Sequence, residues 1–247
     1  MSIKPRPLKW YARLQQGKYR RAEGVFLAEG ARVVRQLIDA GCVPEEILYT
    51  EGAGDIPLLQ ECGRNLSQSQ MSKIATTATP PRVMAVFSAG STYTATLPET
   101  PGNRILYMED VQDPGNVGTL IRSAAAFGFS GVILTDGGAD PLSTKVVRSA
   151  AGALGSLWIR RSSHTQEQIE TLRRGGYHHV VLDFHGEAAP SLQTPCVVSV
   201  GNEGQGVSPG LRKSADTVYT IPYESDRVES LNAAVATSIL MNKLYEL

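Results

Sequence analysis

The sequence predicts an α/β protein whose C-terminal part is a mainly parallel sheet with helices between the strands. From residue 104 onward, short apolar runs typical of buried parallel strands alternate with segments of helical periodicity. The predicted strands are RILYMED, GVILTD, HVVLDF, CVVSVG and TVYTIP. The predicted helices are NVGTLIRSAAAFG, STKVVRSAAGA, TQEQIETLRRG and a last one from about Ser230 to Tyr245. Ligands of such sheets bind beyond the carboxyl ends of the strands, so functional residues are expected in the loops there.

A smaller α/β block precedes this part. GVFLAEGARVV predicts a strand followed by a helix from about Glu29 to Ala40, and EEILYT and RVMAVFS predict further strands. A polar, turn-forming stretch without periodicity then separates the blocks. The predicted organisation is a basic N-terminal arm (1–22), a small domain (23–90), a linker (91–103) and a C-terminal domain (104–247).

The charge of the chain is balanced overall but uneven locally. With 24 basic and 24 acidic residues the formal net charge is zero, which gives no global bias toward nucleic acid. The first 22 residues hold aromatic residues and no acid, a composition that suits phosphate neutralisation with base stacking. A solvated terminus explains the same composition equally well. The basic residues are Lys4, Arg6, Lys9, Arg13, Lys18, Arg20 and Arg21.

Cysteine and histidine usage argues against disulfides and metal. The three cysteines are widely spaced, without a CxxC pair, and the four histidines have no metal-ligand spacing. We therefore expect no metal site and a reducing, cytoplasmic location. No run approaches about 18 apolar residues, so no membrane span is expected either.

The familiar nucleotide-binding loops are absent. Neither GxGxxG nor GxxxxGK[ST] follows a predicted strand, and GNEGQG is not followed by a clear helix start. This argues against an NAD-dependent oxidoreductase or an ATP-binding protein.

Three other segments carry polar residues where only apolar or turn residues are expected. In NVGTLIRSAAAFGF, Arg122 lies among small apolar residues and needs an anionic partner, either a ligand phosphate or an internal carboxylate. In VSVGNEGQGVS, glycines permit a close ligand approach, and a plain turn would not require Glu203. In IPYESDRVESLNAAVA, Ser230 suits a helix N-cap, whereas Asn232, predicted inside the helix, has no such structural reason.

In this order, the three segments resemble the signature motifs of SpoU-type (TrmH-like) RNA ribose 2′-O-methyltransferases of the SPOUT superfamily. The resemblance covers roughly residues 104–247, and GVFLAEGARVV looks like the substrate-binding domain that many rRNA-modifying members carry. The segment between Pro222 and Ser230 is about one residue longer, and more charged, than the family pattern.

The resemblance implies a deep trefoil knot in the C-terminal domain, an exception to the usual unknotted chain, together with S-adenosylmethionine as cofactor and a homodimer. By motif match, the implied catalytic residues are Arg122, Asn116, Glu203, Ser230 and Asn232. The implied cofactor-binding residues are Leu134, Thr135, Gly201, Asn202, Glu203, Ile221 and Leu231.

The expected substrate is RNA, and the extra N-terminal block favours ribosomal RNA. A tRNA substrate, or a catalytically silent RNA-binding relative, is the alternative. Lys145 and Arg148, three apart on one predicted helix face, are either RNA contacts or solvated residues. The candidate RNA-binding residues are Arg122, Lys145, Arg148, Lys18, Arg20 and Arg21.

Overall fold

The computed structural model describes residues 6–188 and 190–247. Its N-terminal part is a four-stranded mixed sheet with helices around it. The sheet order is β1-β4-β2-β3, in which β4 is antiparallel to β1 and β2, and β2 is parallel to β3. The elements are α1 (Leu8–Arg13), α2 (Gly17–Glu23), β1 (Val25–Glu29), α3 (Ala31–Asp39), β2 (Pro44–Tyr49), α4 (Leu59–Cys62), β3 (Gly63–Asn65), α5 (Gln68–Ser72) and β4 (Val83–Ser88).

The segment predicted as a basic arm is folded where it is described. Residues 1–5, including Lys4, lie outside the described residues, and the rest forms α1 and α2. Tyr11 and Leu14 are buried in a core with Leu27 and Met84 of the N-terminal sheet. This apolar anchoring, which the charge pattern concealed, replaces the expected arm by a packed helix pair.

The C-terminal part is a six-stranded sheet in which every neighbouring pair is parallel, so the predicted α/β class is confirmed. The strand order is β10-β8-β9-β5-β6-β7. The strands are β5 (Arg104–Met108), β6 (Gly131–Thr135), β7 (Trp158–Ser162), β8 (His178–Glu187), β9 (Cys196–Val200) and β10 (Thr217–Tyr219). The helices are α6 (Pro114–Ala126), α7 (Thr144–Ala150), α8 (Thr165–Arg174), α9 (Pro209–Lys213) and α10 (Ala233–Tyr245), with a 3₁₀ turn at Ala153–Ser156.

Residues 91–103 contain no helix or strand, but they are held against the C-terminal sheet. The backbone N–H of Arg161 donates to Thr92 O (2.7 Å), and the side chain of Gln168 donates to Ala95 O (2.7 Å). Trp158 Nε1 donates to Pro101 O (2.9 Å). The segment predicted as a linker is therefore hydrogen-bonded to β7 and α8.

The two sheets share one hydrophobic core. Phe26 and Leu37 of the N-terminal part belong to the same buried cluster as Leu142 and Val147 of the C-terminal part. Ion pairs also cross the boundary, between α2 and the loop after β6 and between β1 and α7. The N-terminal part is thus joined to the C-terminal part by both apolar and ionic contacts.

None of the helices in the described residues is long and apolar enough to cross a membrane.

Candidate active site

A cavity of about 240 Å³ opens where the C-terminal part of β8, the loop after β9 and the segment after β10 approach the start of α10. Its walls are mostly backbone and apolar side chains, with two carboxylates, Asp183 and Glu203. The residues around it are Leu182, Asp183, Phe184, Val200, Gly201, Asn202, Glu203, Gly206, Thr220, Ile221, Tyr223, Ser230, Leu231, Asn232, Ala233 and Ala236.

The glycines of the loop after β9 allow it to close on itself. Asn202 and Gly206 exchange two backbone hydrogen bonds of 3.1 and 2.9 Å. A Cβ on Gly201 would lie 2.2 Å from the carbonyl of Gly206, and Gly206 has a φ of +69° that favours glycine. This tight loop turns Glu203 toward the start of α6.

The Glu203 carboxylate accepts hydrogen bonds from three uncharged N–H groups at the start of α6 and just before it. One carboxylate oxygen accepts from Asn116 Nδ2 (2.9 Å) and from the backbone N–H of Asp113 (3.1 Å). The other accepts from the backbone N–H of Gln112 (3.0 Å). Partial burial raises the pKa of Glu203, but these hydrogen bonds outweigh it and leave the pKa below its usual value. Glu203 therefore ties the first predicted motif to the second in its ionised form.

Asn232 extends the same network to the third motif. Its Nδ2 donates to Asn116 Oδ1 (3.0 Å), while its Oδ1 accepts from the backbone N–H groups of Ala234 (2.9 Å) and Val235 (3.3 Å). Asn232 is thus the N-cap of α10, and the prediction that Ser230 caps this helix is wrong, because α10 begins at Ala233. Ser230 is exposed at the cavity rim.

The structure brings Glu203, Asn116 and Asn232 together but leaves Arg122 apart from them. Arg122 is exposed on α6 and makes no hydrogen bond or ion pair with any residue in the described part of the chain. An α-helix has about 3.6 residues per turn, so Arg122 lies on a different face of α6 from Asn116. Gly118, between them, sits against α7, where a Cβ would meet Ser149 Cβ at 2.3 Å. The internal ion pair left open as an alternative for Arg122 is not seen in the described residues.

Leu134 and Thr135, which the motifs predict to bind the cofactor, do not line this cavity. Leu134 is buried in the core, and Thr135 Oγ1 donates to Asp110 Oδ1 (2.6 Å) in the loop after β5. Residues 182–184 of β8 line the cavity instead. Strand β8 is the neighbour of β9 on the cavity side, whereas β6 is separated from β9 by β5. The runs HVVLDF and GVILTD look alike in sequence, so spacing alone could not distinguish them.

The candidate RNA-binding residues fall into buried and exposed groups. Arg20 is 3% exposed and donates to Asp140 Oδ2 from Nε (3.2 Å) and Nη2 (2.5 Å), so its predicted contact with RNA is wrong. Arg148 Nη1 lies 3.0 Å from the buried carboxylate of Glu29. Exposed side chains remain on Lys18, Arg21 and Lys145.

No group of three or more His, Cys, Asp or Glu residues that could hold a metal ion occurs in residues 6–188 and 190–247.

Two family models divide the chain between them. The model of the SpoU rRNA Methylase family matches residues 103–242, and that of the MRM3-like substrate binding domain matches residues 6–85. The first match contains the Glu203, Asn116 and Asn232 network; the second contains the N-terminal sheet.

A curated relative and solved structures agree with these matches over nearly the whole chain. The chain is 32% identical to the 23S rRNA (guanosine(2553)-2′-O)-methyltransferase RlmP of Bacillus subtilis, covering 98% of this chain and 97% of that protein. The AdoMet complex of the SpoU methyltransferase AviRb from Streptomyces viridochromogenes superposes with a TM-score of 0.83 at 26% identity, covering 98% of both chains. An AdoMet-bound rRNA methyltransferase from Sinorhizobium meliloti gives a TM-score of 0.78 at 28% identity, covering 95% of this chain and 92% of that one. With three motifs joined at one cavity and this agreement along its length, the chain belongs to the SpoU rRNA methylase family.

Proposed function

We propose that the protein is an S-adenosylmethionine-dependent methyltransferase that methylates a ribose 2′-hydroxyl in ribosomal RNA. The observation that carries the proposal is the hydrogen-bonded network of Glu203, Asn116 and Asn232 at the cavity rim of a SpoU-family chain. The name of the Bacillus subtilis relative supports ribosomal over transfer RNA.

The cavity suits the proposed cofactor. Leu182, Val200, Ile221 and Leu231 give it apolar walls for an adenine ring, and Gly201 and Gly206 of the loop after β9 line it without side chains. The carboxylates of Asp183 and Glu203 favour a ligand that carries positive charge. We assign cofactor binding to Gly201, Asn202, Ile221 and Leu231, as the motifs implied, and add residues 182–184. The bound cofactor would supply a methyl group on a positively charged sulfur.

Positioning would supply much of the rate, because the ribose oxygen and the methyl carbon must meet in line at about 3 Å. In our proposal, the Glu203 network fixes the two loops between which the ribose enters, and Ser230 contacts the reactants from the rim. Arg122 then holds the adjacent phosphate and stabilises charge that develops on the ribose oxygen. A guanidinium is a costly general base at neutral pH, because it holds its proton strongly.

We also propose that the active form is a homodimer. Val235 and Ile239, four residues apart, expose apolar side chains on one side of α10, and Tyr245 at its end is also exposed. Arg122 does not reach the Glu203 network of its own chain, and a second copy offers a way to complete the site.

A complementation experiment tests the dimer. Arg122→Ala and Glu203→Ala should each be inactive, whereas mixing the two after co-refolding should restore up to about a quarter of the wild-type activity if sites combine residues of both copies. If each copy forms its site alone, the mixture stays inactive. A single-copy mass in solution would also contradict the dimer.

We infer two further properties from family membership and composition. The loops after β9 and β10 are proposed to form the deep trefoil knot of the family, and the three unpaired cysteines support a cytoplasmic location.

The main test is methylation itself. The protein is incubated with labelled S-adenosylmethionine and with unmodified ribosomal RNA, tRNA or ribosomal particles, and products are mapped by alkaline hydrolysis. A hydrolysis-resistant labelled dinucleotide from ribosomal RNA is the expected result. Label in tRNA alone would replace the substrate assignment. Cofactor binding with no label in RNA or ribosomal particles would refute the proposed reaction.

A further inference from the structure

Asp140, in the loop between β6 and α7, is contacted from three other segments of the chain: α2, residues 91–103 and β7. Its carboxylate accepts from Arg20 of α2, from the hydroxyl of Tyr93 (3.0 Å) and from the backbone N–H of Leu142 (3.0 Å). Arg161 Nη1 of β7 lies 3.9 Å away. The side chains of Arg20 and Asp140 are only 3% and 10% exposed. We call Arg20, Tyr93, Asp140 and Arg161 the Asp140 junction.

One side of the junction holds the N-terminal helix pair. Arg20 Nη1 also donates to Leu14 O (2.6 Å), so a single guanidinium fixes the end of α1, the body of α2 and the C-terminal part. Its neighbours Lys18 and Arg21 are exposed and Tyr19 is half-buried. Lys18 Nζ lies 4.9 Å from the Tyr19 ring centre, and Arg21 pairs with Asp136 at 3.2 Å. Exposed cations beside an aromatic ring suit an RNA strand, because the cations can contact its phosphates and the ring can stack on its bases.

The other side of the junction leads to the candidate active site. The loop that carries Asp140 is bonded to the loop after β5, through Gln112 Nε2 to Gly137 O (2.8 Å) and Ala139 N–H to Val111 O (2.9 Å). The backbone N–H of Gln112 in turn donates to Glu203 (3.0 Å). Two packed loops therefore separate Asp140 from the Glu203 network.

The chemistry of the junction favours a geometric role. A buried ion pair contributes little net stability compared with apolar residues of the same size, but its hydrogen bonds accept only one arrangement. Burial, followed by the charge of Asp140, raises the pKa of Tyr93, so its hydroxyl remains a donor at neutral pH. Arg20, Tyr93 and Asp140 thus hold α2 in one fixed orientation against the active-site loops.

We propose that Asp140 is a positioning residue, which sets the register between RNA bound on the outer face of α2 and the ribose at the Glu203 network. This inference rests on the proposed function for its catalytic consequence. RNA long enough to touch both sites would be aligned by the junction, whereas a short RNA that reaches only the cavity would not.

Two RNA substrates separate this role from simple destabilisation. One is long ribosomal RNA, and the other is a short hairpin that contains the methylated nucleotide mapped with wild-type protein. The variants are Asp140→Asn, Arg20→Met and the charge-conserving Arg20→Lys. The control is Asp216→Asn. In the wild type the Asp216 carboxylate also accepts from an arginine (Arg173, 2.9 Å) and a backbone N–H (His179, 2.9 Å), but it lies beside the edge strand β10, away from the junction.

We expect Asp140→Asn and Arg20→Met to lower kcat on long RNA about ten- to hundredfold, because small misplacements of reacting groups are costly. Turnover of the hairpin and the affinity for S-adenosylmethionine should stay within about twofold of wild type, and Arg20→Lys should recover part of the loss. Equal losses on both RNAs, or no selective loss on long RNA, would overturn the proposal. Thermal unfolding identifies any variant that fails to fold, in which case Arg20→Lys provides the comparison.

A measurement without catalysis separates this proposal from the proposed function. In the wild type, long RNA should slow amide hydrogen exchange in residues 109–113, and Asp140→Asn should abolish that effect while RNA still binds. Protection without methylation would refute the proposed reaction and support the junction. RNA that gives no protection in the wild type, or does not bind, would overturn the junction.

Discussion

Two carboxylates each connect several segments of this protein, one through uncharged donors and the other mainly through arginines. Glu203 lies at the cavity rim and is bound by an amide side chain and two backbone N–H groups, all uncharged. Asp140 is buried and is matched by arginines and a tyrosine hydroxyl. Neutral donors leave the charge of Glu203 available to a cationic ligand, whereas Asp140 is neutralised and immobile. The difference distinguishes a ligand-binding site, at Glu203, from a structural contact between segments, at Asp140.

The largest effect on stability should come from Asp140→Ala. The substitution leaves the Arg20 guanidinium buried without its counter-charge, which costs about 3–5 kcal/mol of unfolding free energy. Urea unfolding measures it. The double variant Asp140→Leu with Arg20→Met should recover most of that loss, because apolar side chains can replace a buried ion pair. A loss below about 1 kcal/mol in the single variant would remove the contrast with Glu203.

Glu203→Ala should leave the fold intact and strongly reduce methyl transfer. Its neutral donors return to water at small cost, so the unfolding free energy should change by about 1 kcal/mol or less. Loss of the bridge between Asn116 and the loop after β9 should lower methyl transfer about a hundredfold. The control is Gln205→Ala in the same loop, where the side chain is exposed. Unchanged turnover in Glu203→Ala would show that the network has no part in the reaction.

The pH dependence of the Glu203 network follows from its lowered pKa. The folded-state pKa lies below the unfolded value of about 4.3, so the stabilisation is fully present above that value and is lost as pH falls through the folded-state pKa. S-adenosylmethionine binding should therefore stay constant from pH 7 to 5 and decline only below about pH 4. Titration calorimetry of wild type against Glu203→Gln checks it, and a decline centred near pH 6 would implicate another group.

The smallest effect should come from Asp136→Asn. Asp136 pairs with Arg21 at 3.2 Å, and these two side chains are 39% and 51% exposed. Its second cation, Arg161, lies farther away, at 3.9 Å. Exposed pairs contribute about 0–1 kcal/mol, so unfolding should shift by less than about 0.5 kcal/mol and less still in high salt. A shift as large as that of Asp140→Ala would mean that burial does not separate the two pairs.

The C-terminal architecture was predictable because its strands are apolar and its helices periodic. Strand β7 was not predicted because its sequence, WIRRS, is polar. It lies at the edge of the sheet, where a strand can carry polar side chains. Glu203, Asn116 and Asn232 were predicted as site residues, but Asn232 proved also to be a helix cap, a role assigned to Ser230.

Contacts between distant segments set the limit of prediction. The predicted role of Arg20 failed because its partner lies 120 residues away, and no local pattern shows which arginine of a basic stretch will be buried. The cavity position of residues 182–184 likewise depends on which strands become neighbours in the sheet.

The separation in sequence between buried charges and their partners has a consequence for synthesis. Arg20 precedes Asp140 by 120 positions, and Glu29 precedes Arg148 by 119. Arg20, Asp140 and Glu29 are the buried charges, and each needs its partner before it can be buried at low cost. While the chain grows on the ribosome, the N-terminal sheet therefore reaches its final stability only after the first two strands of the C-terminal sheet and the helix α7 have emerged.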